Sequence, residues 1–144
     1  MSLPEVDQYG TTRWYDESRR LHREDGPAVI SENDTEQWYL CGVLHRVDGP
    51  AVIWSDGYEE WWLYGQRHRE GGPAVEQVSS GHRSWYHKGL RHRTDGPAVE
   101  YANGKLRWFV LGEEYTDLED YCDAAGIVDK QRTFFLLKYS GSRL

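Results

Sequence analysis

The chain has 144 residues, 38% hydrophobic and 28% charged, with a formal net charge of −7. That length suffices for one domain with a real core, and the acidic balance argues against a sequence-independent nucleic-acid binder, which would carry a basic stripe. No stretch reaches the ~18 apolar residues of a membrane span, and the acidic start, Met1-Ser2-Leu3-Pro4-Glu5-Val6-Asp7, lacks the apolar run of a signal peptide, so the sequence predicts a soluble cytoplasmic protein.

Aromatic residues make up 14% of the chain, with 7 Trp and 10 Tyr against only 3 Phe. Flat, semi-polar rings suit half-buried sheet faces and binding surfaces. The two cysteines, Cys41 and Cys122, form no Cys-x-x-Cys pair and read as ordinary thiols of a reducing compartment.

In chain order, residues 1–13 form a lead-in, ending at an aromatic pair, Trp14-Tyr15, that closes a half-repeat. From His22 a motif of the form His-Arg-x-(Asp/Gly)-Gly-Pro-Ala-Val occurs four times, starting at His22, His45, His68 and His92, at intervals of 23, 23 and 24 residues. A period of that size is the mark of a repeat array. After each Pro-Ala-Val comes a short apolar segment and a turn: Asn33-Asp34, Ser55-Asp56-Gly57, Ser79-Ser80-Gly81 and Ala102-Asn103-Gly104. Asp-Gly and Asn-Gly between β-prone segments predict hairpins closed by primed turns. Aromatic strands return through Trp38-Tyr39, Trp61-Trp62, Trp85-Tyr86 and Trp108-Phe109, each followed by a glycine, Gly42, Gly65, Gly89 or Gly112. Each unit is thus one hairpin, joined to the next by a second glycine turn.

Proline lacks an N–H and fixes φ, so Pro27, Pro50, Pro73 and Pro97 belong at strand starts. Gly26, Gly49, Gly72 and Gly96 precede them, and Asp25, Asp48 and Asp95 can cap the turn. Strand alternation sends Trp38, Trp61, Trp85 and Trp108 to one face and Tyr39, Trp62, Tyr86 and Phe109 to the other. Residues 14–115 form the array. Residues 116–144 form a helical cap, in which Thr116-Asp117-Leu118-Glu119 reads as a capping box, Gly126 as a stop, and Asp129 to Lys138 as a second helix. The fold class is mainly β: a single twisted antiparallel sheet of stacked hairpin repeats.

The segments Tyr39-x-x-Gly42-x-x-His45, Trp62-x-x-Gly65-x-x-His68 and Tyr86-x-x-Gly89-x-x-His92 resemble the aromatic-x-x-Gly-x-x-His core of the membrane-occupation-and-recognition-nexus repeat. Phe109-x-x-Gly112 matches as well, with Tyr115 in place of the histidine. The departure is regular: that family has His-Gly-x-Gly where this chain has His-Arg-x-Asp-Gly-Pro-Ala. The Gly-Pro-Ala form is similar to variant repeats of uncharacterised phage and giant-virus proteins and of antitoxin-like bacterial proteins. The resemblance implies a scaffold or protein-interaction module, with lipid binding proposed for some members. For a phage protein it implies an inhibitor of a host defence or regulatory protein, acting in the host cytoplasm.

Chemistry-bearing residues are few. His22, His45, His68 and His92 lie two strands, about 9.6 Å, from their repeats, too far apart to share a zinc ion with ~2 Å bonds. They read as turn residues that bond a carbonyl or Asp. There is no nucleophile elbow, phosphate loop or metalloprotease motif, so no catalytic residue, metal or cofactor is expected. Partner binding is expected from Tyr39, Trp54, Tyr58, Trp62 and Tyr86 with Arg23, Arg46, Arg69 and Arg93, the partner being another protein or a second copy. The alternative is a small-ligand or nucleotide binder, with Arg on a phosphate and an aromatic ring stacked on a base.

Overall fold

A computed structural model of the chain describes residues 3–141. Its strands run in chain order across one antiparallel sheet of eleven: Glu5–Val6, Thr12–Arg13, Val29–Ile30, Glu36–Gln37, Val52–Ile53, Tyr58–Glu60, Val75–Gln77, His82–Ser84, Val99–Glu100, Leu106–Val110 and Glu113–Tyr115. Neighbours in sequence are neighbours in the sheet, as the repeat period requires. The sheet starts at Glu5, inside the residues read as a lead-in. Glu5–Val6 pairs with Thr12–Arg13 across a loop closed by the Asp7 N–H to Thr11 carbonyl bond.

Each unit contains two hairpins where the sequence predicts one. Tyr39–Leu40 pairs with Val43–Leu44, Trp62–Leu63 with Gln66–Arg67, and Tyr86–His87 with Leu90–Arg91, as ribbons outside the main sheet. The switch happens at the tryptophan. The Trp38 N–H donates to the Ala51 carbonyl of the sheet at 2.7 Å, while its own carbonyl accepts from His45 of the ribbon at 3.1 Å. Trp61 and Trp85 repeat both bonds with Ala74 and His68, and with Ala98 and His92.

The two hairpins use different turns, and the primed turn is not the one the sequence predicts. At Ser55-Asp56-Gly57 only Gly57 has positive φ, and Trp54 and Tyr58 bond across the loop, which makes it a three-residue hairpin. Both residues of the three ribbon turns have positive φ, Cys41 and Gly42 (50° and 86°), Tyr64 and Gly65 (48° and 78°), Lys88 and Gly89 (47° and 84°), and so do Leu111 and Gly112 (47° and 85°) in the matching turn between the last two sheet strands. Those four are the primed turns.

Alternation along the sheet gives two faces. One carries Val29, Val52, Val75 and Val99, all at 7% exposure or less. The other carries Ala28, Ala51, Ala74 and Ala98, all fully buried, beside the tryptophan row. Burial per unit is modest, and the largest buried cluster is at the end of the chain. There helix α1 (Leu118–Ala125) packs on Trp108 through Tyr121 and Cys122, the link that follows through Ile127, and helix α2 (Asp129–Tyr139) through Phe135 and Tyr139. The N-cap of α1 is Asp117, one residue past Thr116, and its carboxylate accepts from the Glu119 and Asp120 amides. Gly126 ends α1 in the left-handed conformation, with Ile127 N–H returning to the Cys122 carbonyl. Arg132 ties α2 to α1 through Glu119 and Asp123. No helix among the described residues is long and apolar enough to cross a membrane.

Candidate functional site

The His-Arg-x-Asp-Gly-Pro loop is a packing device, and the structure gives each letter a partner. The guanidinium carbon of Arg46 sits 4.1 Å over the Trp38 ring; Arg23 covers Trp14, Arg69 covers Trp61 and Arg93 covers Trp85 at 3.9–4.1 Å. In the same groups Nη1 donates to the carbonyl of Pro27, Pro50, Pro73 or Pro97 at 3.1–3.3 Å. Nε donates to Asp25, Asp48 or Asp95 at 2.7–3.0 Å. These bonds hold the Asp25 and Asp48 carboxyls below the usual range. The third copy has Gly71 instead of Asp; Arg69 has Glu76 at 3.9 Å, the counterpart of the Glu100 that Arg93 meets at 3.1 Å.

The repeated glycine is explained by the same stack. A Cβ on Gly49 would lie 2.7 Å from the Arg46 guanidinium carbon, and one on Gly26, Gly72 or Gly96 at 2.8–3.0 Å from its own arginine. Gly is the seat of the guanidinium, with Trp on the other side.

The histidines bond an amide N–H, not the carbonyl or Asp that the sequence predicts. His22 Nδ1 accepts from the Cys41 N–H at 3.0 Å, His45 from Tyr64 at 3.0 Å, His68 from Lys88 at 3.0 Å and His92 from Leu111 at 2.9 Å. Each donor is the non-glycine residue of the next unit's primed turn. Holding such a residue at positive φ costs about 1–2 kcal/mol, and the bond to the histidine partly offsets this. The glycine after it donates to the carbonyl of Leu21, Leu44, Arg67 or Arg91, locking each ribbon to the one before. Burial, and secondarily the nearby His87, lowers the pKa of His92.

This bonding decides the metal question at two clusters. Ligand atoms of Asp16, His22 and Cys41, and of His68, Glu70 and His87, lie within 4.8 Å of one another. A neutral imidazole has one lone pair, and those of His22 and His68 are already given to the Cys41 and Lys88 amides. Ligation would break the lock between units. The second cluster still marks a departure from the repeat that the sequence reading passed over. His87 falls in a column otherwise filled by Leu40, Leu63 and Val110, with its ring 4.9 Å from His68 and 5.8 Å from His92.

The aromatic and arginine residues expected to share one binding face are on opposite faces. Tyr39 donates to Gln37 Oε1 (3.1 Å) and Trp62 Nε1 to the buried Glu60 (2.9 Å), which sets both on the valine face. Arg67 lies over Trp62 and Tyr86, and Arg91 over Tyr86 and Phe109, so much of this row is covered by the chain's own cations. Tyr58 is half-buried beside them, and burial raises its phenol pKa along with that of Tyr39. Trp54, 43% exposed, lies beyond that stack. On the tryptophan face, two equivalent grooves run between successive loops. One, of about 760 Å³, is floored by Trp38 and walled by Arg23 and Arg46; the other, of about 520 Å³, is floored by Trp85 and walled by Arg69 and Arg93. The side chains of Glu24, Asp25, Asp48, Glu70 and Asp95 rim them at 80–85% exposure, and Val47 adds an exposed apolar group.

Comparison with protein-family models, curated proteins and solved structures gave no match.

Proposed function

We propose that the chain is a non-catalytic protein-binding module whose contact surface is the row of His-Arg-x-Asp-Gly-Pro loops. The observation that carries this reading is the recurrence of one groove along a rigid edge, rimmed by exposed carboxylates. The histidine and arginine bonds fix the loops before any partner arrives, which lowers the ordering cost of association. The carboxylates attract a partner with a basic surface. Trp38 and Trp85 supply the semi-polar aromatic floor typical of interface centres. Nucleic acid is disfavoured by the same negative rim. Resemblance to phage and antitoxin-like repeats supports a host regulatory or defence protein, or a toxin, as that partner, in the cytoplasm.

The test is affinity capture from host lysate with the wild-type chain and with the triple variant Asp25→Lys, Asp48→Lys, Asp95→Lys. A stoichiometric protein retained by the wild type, lost in the variant and weakened by salt is expected. A partner held equally by both would move the contact off the loops, and an empty capture would overturn the reading.

A further inference from the structure

On the valine face, the row next to the turns is filled in the later units and empty in the first ones. Tyr58 pairs with Gln77, Gln77 with His82, and the His82 ring lies 5.7 Å from Tyr101. The matching positions toward the N-terminus are Thr35, Ser31 and Thr11, joined by the Ser31 N–H to Thr35 carbonyl bond and by the Thr12–Ile30 pairing. Three small hydroxyl residues in a row of large side chains leave a shallow, solvent-open depression of about 590 Å³, with Trp54 and Tyr9 among its lining residues.

The lining specifies the ligand's chemistry. It has no Lys or Arg, and its only carboxylate is Glu32. A phosphate would find no counter-charge there, and a metal ion no ligand set. Trp54 is 43% and Tyr9 69% exposed, and among the described residues no ring or cation is stacked on Trp54. The amide oxygens are already used, Gln37 Oε1 by the Tyr39 hydroxyl and Asn33 Oδ1 by the Thr35 N–H, so both NH₂ groups remain to donate. Thr35 is 3% exposed, and its hydroxyl is buried with no hydrogen-bond partner. A free π-face, two amide donors, hydroxyls and one acceptor carboxylate match a neutral ring with an apolar face and hydroxyl edges.

We propose that this open depression binds a saccharide, with Trp54 as its stacking platform and Gln37, Asn33 and Glu32 at its hydroxyls. The site is on the face opposite the loop grooves and is independent of the protein-binding reading.

The experiment is an NMR titration of the full chain with maltotriose, cellotriose and chitotriose, with adenosine and inorganic phosphate as probes of other chemistry. At least one trisaccharide is expected to shift the Trp54 indole and Gln37 amide signals with a Kd of about 0.1–1 mM, and Trp54→Ala to weaken it about tenfold or more. Trp54→Phe should retain most binding, as should the Asp25, Asp48, Asp95 triple variant. Because Trp54 is exposed, its variants keep the fold, and their backbone spectra check this. No shift from any trisaccharide at ~10 mM, ten or more times the expected Kd, would overturn the proposal. So would binding that survives Trp54→Ala, or shifts produced by adenosine or phosphate alone.

Discussion

In the array, Trp14, Trp38, Trp61 and Trp85 are each covered by a guanidinium; in the cap, Trp108 is covered by rings. Tyr121 meets it edge-on at 4.9 Å, Tyr139 at 4.7 Å and Phe135 at 5.6 Å, in the place where a fifth Arg would stand had the repeat continued past Tyr115. The Tyr121 hydroxyl then donates toward the Arg93 and Gly96 carbonyls, at 2.7 and 2.8 Å, sealing the last loop. Burial pushes that phenol's pKa well up. An arginine cover packs an aromatic ring while keeping polar groups at the surface, so it can be repeated along a thin sheet and still present carboxylates to a partner. A ring cover makes a dry core that ends the array. The two regions should therefore fail differently.

The largest effect is expected in the cap. Trp108 is 1% exposed, and Trp108→Ala should cost about 3–5 kcal/mol, read as a lower urea midpoint. Trp38→Ala, at a half-buried site, should cost clearly less. Equal costs would erase the distinction between the two regions.

Next is the seat of the guanidinium. Gly49→Ala drives a Cβ into Arg46 and should cost about 1–3 kcal/mol. In an Arg46→Ala background the same change should cost little, because the clash is with that side chain. A double-mutant cycle measures the coupling, and additive costs would show that Gly49 has another role.

A smaller effect should follow pH. The folded-state pKa of His92 lies below its ordinary 6.5, so the unfolded chain takes up the proton first as pH falls. The His92 contribution is therefore complete above about pH 6.5 and is lost as pH drops through that value toward the lower folded pKa. Protonation at Nδ1 also removes the bond to Leu111. Asp25 and Asp48 have folded pKa values below 3.8, so their contribution persists until lower pH. Urea midpoints at pH 7.5 and 5 should fall for the wild type and fall less for His92→Gln. An unchanged wild-type midpoint would contradict the bond. The smallest stability effect belongs to Asp48→Asn, which should leave the thermal midpoint unmoved while weakening partner capture.

The period, the aromatic rows, Gly126 and the helical cap could be read from residues alone, because each rests on local pattern. The double hairpin could not, since it depends on where Trp38 sends its N–H and carbonyl, a matter of non-local pairing. The histidine lock joins residues 19 or 20 apart, across a repeat boundary, and so looks in sequence like a turn residue with a local partner. Trp38 and Arg46 are likewise separated by the whole ribbon turn. Arg23, Arg46, Arg69 and Arg93 therefore read as an anion-binding row until the rings beneath them are seen. Thr11, Ser31 and Thr35 had no motif, and only strand register sets them side by side.

The most direct test of the lock is the tautomer of the repeat histidines, read from long-range ¹H–¹⁵N spectra at pH 7.5. A ring whose Nδ1 accepts an amide must carry its proton on Nε2. His22, His45, His68 and His92 should all show the Nε2–H form at that pH. An Nδ1–H tautomer at these four sites would mean that the repeats are not joined through their histidines.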